Sequence, residues 1–152
     1  MSSYLVTGGA GSFGQAFVRD VLADPLTSRV VVYSRCEDRQ RVMASEIPDA
    51  RLRFFVGDVR DRDRLRLAMR GTDVVVHAAA LKQVPACEYN PDEAVKTNID
   101  GTRNVVWAAL DNGVQKAVLV SSDKACAPFN LYGATKAVAE KILIHGNAYS
   151  GA

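Results

Sequence analysis

The sequence predicts an α/β fold built on a doubly wound parallel sheet of about five strands, and three observations carry that prediction. Apolar runs at 3–7 (SYLVT), 29–33 (RVVVY), 51–56 (RLRFFV), 73–77 (DVVVH) and 116–121 (KAVLVS) alternate with helical segments. Runs such as Val74 to Val76 and Val118 to Val120 lack polar alternation, as expected of strands covered on both faces. The first run leads straight into a glycine-rich turn and a helix, TGGAGSFGQAFVRDVL.

Size and composition agree with one soluble domain. The 152 residues are 48% hydrophobic and 24% charged, with no repeat, low-complexity tract or linker, so residues 1–152 read as one continuous unit. A formal net charge of +2 is too small to imply nucleic acid or an anionic membrane. Three cysteines, Cys36, Cys87 and Cys126, without a CxxC or paired histidines, suggest neither a disulfide framework nor a metal site. The N-terminus lacks a basic region followed by an apolar one, and no window approaches the roughly 20 apolar residues of a membrane span. A cytoplasmic chain with reduced cysteines is the expectation.

In chain order, the first turn places Gly8, Gly11 and Gly14 in GxxGxxG spacing, with Ser12 and Phe13 opening the helix. Glycines let backbone N–H groups and the helix N-terminus approach a pyrophosphate without Cβ interference. Strand, turn and helix together predict a Rossmann-type dinucleotide site. After the second strand comes YSRCEDR. Ser34 and Arg35 suit a 2′-phosphate, with Arg39 as a second contact, which favours NADP. Glu37 keeps NAD open, and Arg35 also reads as an exposed residue at a helix start.

The third strand ends in GDVRD, where Asp58 can bond the adenine amine and Val59 pack on the ring. A helix from Asp61 to a Gly71 stop carries RDRDRLRLAMR, whose alternating signs read as a solvated face. HAAA after the fourth strand supplies small residues, Ala78, Ala79 and Ala80, for close approach to the cofactor. His77 reads as a core histidine. One helix is expected from Asn90 to Asn112-Gly113, with Asn90 as cap, Pro91 at the first position and Glu93 closing a capping box. Val95, Ile99, Val105, Val106 and Leu110 approximate its apolar face.

The last strand runs into SSDKACAPFNLYGATK, and a final helix is expected from Leu131 or Tyr132. Tyr132 and Lys136 lie one turn apart on one helix face. An ammonium beside a phenol favours phenolate, and a phenol brought below its ordinary pKa of about 10 is a usable base near neutrality. Ser122, ten residues upstream of Tyr132, is placed to orient a substrate hydroxyl.

TGGAGSFG, GDVRD, HAAA, KTNIDGTRNV and YGATK stand in the order and spacing of the extended short-chain dehydrogenase/reductase superfamily, which the chain resembles over nearly its whole length. The resemblance implies that Tyr132 takes the proton of a sugar hydroxyl as hydride leaves for the nicotinamide. It implies that Lys136 holds the nicotinamide ribose, that Ser122 is the hydroxyl partner and that Asn98 is a supporting polar group. SSDKA with HAAALKQVPACEYNP and NLYGATK is similar to the inverting UDP-N-acetylglucosamine 4,6-dehydratases of bacterial surface-glycan biosynthesis. By that likeness Asp123 is the acid at C6, Lys124 the base at C5, and Lys82 lies near nicotinamide and substrate. Retaining dehydratases carry an acidic residue in place of Lys124, and Ser122 replaces a more usual threonine. Cys87 and Cys126 receive no chemical role.

Relatives in that family continue into a substrate-binding part beyond the YxxxK helix, so the fold is expected to stop before it. A sheet ending at its fifth strand exposes a backbone edge, which invites a second copy or a partner chain. Three readings stay open: a 4,6-dehydratase using NADP on UDP-N-acetylglucosamine, an epimerase or oxidoreductase sharing the cofactor site, and an NADP-binding module or half-enzyme without turnover alone.

Overall fold

A computed structural model describes residues 1–150. Five strands, β1 (Ser2–Thr7), β2 (Thr27–Ser34), β3 (Leu52–Val56), β4 (Val74–His77) and β5 (Lys116–Leu119), form one sheet in the order β3-β2-β1-β4-β5. Every pairing is parallel. Helices α1 (Ser12–Ala23), α2 (Glu37–Glu46), α3 (Arg62–Ala68), α4 (Val84–Tyr89), α5 (Pro91–Ala94), α6 (Gly101–Asp111) and α7 (Leu131–Gly146) connect and follow the strands.

Strand alternation sorts the core onto two faces. Leu5, Val31, Tyr33 and Val75 pack with Leu65, Met69, Val105 and Ala108 beneath α3 and α6. Their neighbours Val6, Val30, Val32 and Val76 pack with Val18, Leu22 and Met43 beneath α1 and α2. Two covered faces explain the Val74–Val76 run, whereas the Val118–Val120 run, expected to be covered likewise, lies on the edge strand β5, whose Lys116, Ala117 and Val118 are exposed. A smaller cluster of Cys87, Ala94 and Tyr132, flanked by Leu81, Val84 and Leu131, joins α4, α5 and α7.

Strand order reverses beside β1, whose C-terminal end faces that of β4 in the register Thr7 to His77. Such a reversal opens a crevice at the carboxyl edge of the sheet. His77 sits across it, buried, with Nδ1 2.6 Å from Thr7 Oγ1 and Nε2 3.1 Å from Thr102 Oγ1. The Thr102 hydroxyl already donates to Asn98 O at 2.6 Å, so His77 Nε2–H donates and Nδ1 accepts from Thr7. Burial, aided by the charge of Lys136, pulls the His77 pKa down to about 3. It is a neutral core histidine.

The segment expected as one helix from Asn90 is built differently. Asn90 makes no side-chain cap, and its Nδ2 donates back to Ala86 O at 3.0 Å because α4 ends immediately before it. Glu93 does not close a capping box, since its carboxylate pairs with Arg60 at 2.6 Å and Lys96 at 3.4 Å. Between α5 and α6 a π-helical turn, Val95–Asp100, widens the helix by one residue. This rotates Val95 to the surface while burying Thr97 and Asn98. The expected end at Asn112-Gly113 is observed, with Gly113 at φ +65. The α3 start is capped by Asp61, which accepts from Arg64 N at 2.9 Å. Among the described residues no helix is long and apolar enough to cross a membrane.

Candidate active site

A groove of about 290 Å³ follows the carboxyl ends of β1 to β4. From the candidates named above it gathers Gly8, Gly11 and Ser12 after β1, and Ser34, Arg35 and Arg39 after β2. Asp58 and Val59 after β3, and Ala78, Ala79, Ala80 and Lys82 after β4, complete its wall.

Glycine shapes this groove at two close approaches. Gly8 adopts φ +67, and a Cβ there would lie 2.9 Å from Ala79 N, so the first turn seats directly on the segment after β4. Gly14 faces inward, where a Cβ would fall 2.5 Å from the Gly9 backbone; it lets α1 pack on the turn and does not line the groove. Gly11 caps α1 without a side-chain bond. Among the described residues the N–H groups of Ser12, Phe13 and Gly14 find no backbone acceptor. Three free donors at a helix N-terminus, beside small residues, fit a pyrophosphate. The Phe13 ring turns away, stacking on Phe17 with centroids 6.0 Å apart.

The wall after β2 is held by a residue that the sequence motifs do not include. Buried Gln40 donates to Ser34 Oγ at 2.9 Å and Phe55 O at 2.9 Å. Arg35 stands 4.0 Å from Asp58, and Glu37 is not among the lining residues. Asp58 is gripped by Arg60, whose Nη2 donates to Oδ2 at 2.7 Å and whose backbone N donates to Oδ1 at 3.0 Å. Burial opposes ionisation of Asp58, yet the bonds from Arg60 and the nearby Arg35 hold its carboxyl below the usual range. Beneath it, Tyr33 donates to Asp58 O at 2.8 Å, and Gly57 leaves the room that the Tyr33 ring fills.

Asn98 lies outside the groove lining, and the physical reason is that its amide is already spent on protein. Oδ1 accepts from Leu81 N at 2.9 Å, while Nδ2 donates to Leu81 O at 2.9 Å and Thr135 Oγ1 at 3.0 Å. It clamps the loop after β4 to α7. Its neighbour Thr97 lines the groove instead.

The second group of candidates lies where β5 meets α7. A short 3₁₀ turn, Asp123–Ala125, follows Ser122, whose hydroxyl accepts from Lys124 N at 3.2 Å and donates to Asp123 Oδ1 at 3.1 Å. Lys124 Nζ stands 3.4 Å from the same carboxylate. The hydrogen bond from Ser122, then that from Lys124, holds the Asp123 carboxyl below its ordinary range. Asn130 caps α7, its Oδ1 accepting from Gly133 N at 2.8 Å. Tyr132 and Lys136 are buried, at 8% and 3% exposure. Lys136 Nζ donates to Val120 O at 2.7 Å, and burial lowers its pKa.

Gln40, Gly57, Arg60, Thr97 and Gly133 are the contributors that motif reading missed. Gly57 and Arg60 stand in GDVRD, Thr97 in KTNIDGTRNV and Gly133 in YGATK, but their roles depend on the contacts they make in the fold, while Gln40 lies just beyond YSRCEDR.

The polysaccharide biosynthesis protein family matches residues 4–152. UDP-N-acetylglucosamine 4,6-dehydratase (inverting) of Campylobacter jejuni is 48% identical over 147 residues, covering 97% of this chain and 44% of that protein. UDP-glucose 4-epimerase of Rickettsia akari is 43% identical over 143 residues, covering 92% of this chain and 42% of its own. The dTDP-glucose 4,6-dehydratase DesIV of Streptomyces venezuelae, solved with NAD bound, superposes with a TM-score of 0.87 at 31% identity, covering 97% of this chain and 52% of that one. The chain therefore spans about half the length of the relatives it matches. With its glycine turn, small-residue wall and YxxxK helix in one sheet order, the chain belongs to the polysaccharide biosynthesis protein family of the extended short-chain dehydrogenases/reductases.

Proposed function

We propose that the chain is the dinucleotide-binding and proton-handling half of a nucleotide-sugar 4,6-dehydratase that acts on UDP-N-acetylglucosamine with inversion at C5. The observation that carries this reading is the Ser122–Asp123–Lys124 turn, with an acid and an amine 3.4 Å apart next to the YxxxK helix. Oxidation alone needs no such pair. Elimination of water needs a base at one carbon and an acid at the next.

The groove suits a nicotinamide dinucleotide, with the α1 N-terminus for the pyrophosphate and Asp58 and Val59 for the adenine, while Lys136, outside its lining, takes the nicotinamide ribose by the family resemblance. Ser34, Arg35 and Arg39 line it after β2 and no carboxylate does so there, which supports NADP over NAD. When bound, the dinucleotide supplies hydride chemistry, oxidising C4 and later reducing C6 so that none is consumed. Tyr132 takes the C4 hydroxyl proton, with Ser122 orienting that hydroxyl. Lys124 then removes the C5 proton made acidic by the neighbouring ketone, and Asp123 protonates the C6 oxygen, which leaves as water.

Asp123 must be neutral to give up a proton, whereas its bonds in the open turn favour the carboxylate. A sugar seated over the turn excludes water and disfavours both charges, which promotes the neutral acid and neutral amine that the two roles require.

The test is mass spectrometry of UDP-N-acetylglucosamine incubated with the chain and NADP. The expected product has lost one water, with no net NADPH formed. A 4-epimer, which the Rickettsia relatives make the leading alternative, would overturn the reading, as would net cofactor reduction. Saturable NADP binding without sugar binding would assign the chain as the cofactor half, completed by a second polypeptide or copy.

A further inference from the structure

Glu140 stands one turn beyond Lys136 on α7, outside every motif discussed so far. Its Oε1 accepts the hydroxyl of Ser121. The preceding residue, Val120, accepts Lys136 Nζ at 2.7 Å. Residues 120 and 121 are therefore tied to two successive turns of α7, and the Ser122–Lys124 turn emerges directly from that double tie. Beyond it, among the described residues, the side chains of Ser122, Asp123 and Lys124 bond only within their own turn.

The surroundings of Lys136 make Glu140 matter electrostatically as well. Its ammonium faces the Val120 carbonyl at the end of β5 and neutral His77 on β4, with Tyr132 and Glu140 on its own helix. Glu140 is the carboxylate that counters the effect of burial on this lysine.

We propose that Glu140 is a positioning residue of the site, which holds Ser121 and hence the Ser122–Lys124 turn against α7 while serving as the counter-charge of buried Lys136. Its consequence for turnover rests on the dehydratase reading above; the tie and the counter-charge do not.

Two substitutions separate the two parts. Glu140→Gln keeps an acceptor for Ser121 and removes the charge, whereas Ser121→Ala keeps the charge and frees the carboxylate. Protein carrying ¹³C at the lysine ε-carbon is titrated by NMR, with Lys136 assigned from its missing signal in Lys136→Met. In Glu140→Gln the Lys136 midpoint falls, in Ser121→Ala it falls by less, and Glu140→Asp returns it toward wild type. NADPH fluorescence titrations then lose affinity on the alkaline side at a correspondingly lower pH in Glu140→Gln. An unchanged Lys136 midpoint in folded Glu140→Gln overturns the proposal, whatever the chain does with a nucleotide sugar. A shifted midpoint in a chain that binds no dinucleotide supports the proposal and overturns the dehydratase reading, so the two failures are distinct.

Discussion

A methyl group added at Gly133 would overlap the carbonyl oxygen of Lys124 and press on Pro128. The glycine of YGATK thus sets how closely α7 approaches the Ser122–Lys124 turn. Gly133→Ala is expected to cost about 1–3 kcal/mol by overpacking, and to displace the Lys124 amide while β1 and β4 stay in place. Urea denaturation read beside ¹H–¹⁵N shifts checks both; an unshifted Lys124 amide would show that the contact is slack. Four residues earlier in the same loop than Leu131, Ala127 sits at φ 45, where an L-residue with a Cβ is strained. Asparagine tolerates that region and leaves the unfolded chain less free than glycine does. Ala127→Asn should therefore stabilise the protein by on the order of 1 kcal/mol, seen as a higher urea midpoint at constant slope. These two positions also mark what was legible in the sequence. The GxxGxxG turn announces itself because the strand, the turn and the helix that need it are contiguous. Gly133 and Gly57 do not, since the groups that exclude a side chain there, Lys124 and Tyr33, arrive from other segments.

Elements were legible where their cause is local and not where tertiary partners override it. The α3 start at Asp61 and the glycine stop at Gly113 were read from their own neighbours and are present. Asn90 and Glu93 have the spelling of a capping box, but α4 and Arg60 take their side chains. The π-helical turn Val95–Asp100 leaves no trace in apolar periodicity; it exists because Asn98 bonds both Leu81 backbone groups and Gly101 packs against Val59. A π turn is an α-helix with one residue inserted, and such turns recur at functional sites. Deleting Asp100, which lies between Asn98 and α6, should convert it to regular helix and rotate Thr97 and Asn98 by about 100° relative to α6. The expected outcome is unchanged helical circular dichroism with loss of NADPH binding, because the Leu81 loop is released and Thr97 leaves the groove. Retained binding would mean that the loop is held by Cys87 and its neighbours without Asn98.

At the scale of the molecule, the parallel sheet with its valine core on two faces follows from alternation in the sequence, and the exposed edge expected at the fifth strand is observed at β5, whereas the strand order β3-β2-β1-β4-β5 was not read from the sequence. Ile144 on α7, 63% exposed, lines a groove of about 540 Å³ between α6, α7 and β5 together with Ala117, while Val118, 49% exposed, lies beside Val76 on the other face of the sheet. Stability of the whole is coupled to pH through His77, which joins β1, β4 and α6 by its two ring nitrogens. In the folded chain its pKa is about 3, against an ordinary value of 6.5. Below pH 6.5 the unfolded chain binds a proton that the folded chain refuses, so stability falls as pH falls, and the loss ends only near the folded pKa. The slope is about 1.4 kcal/mol per pH unit for one proton. Between pH 6.5 and 4.5 this amounts to roughly 2–3 kcal/mol. The carboxylates held low, Asp49, Asp58, Asp73 and Asp123, add their own losses only at lower pH, as it falls through the carboxylate range. Urea midpoints measured across that upper window should therefore decline in the wild type. In His77→Asn they should be lower at pH 7, because the bridge to Thr102 is weakened, yet nearly flat down to pH 4.5. A wild type equally flat over that window would mean that His77 takes up its proton in the folded state, and that the link between the two central strands opens in mild acid.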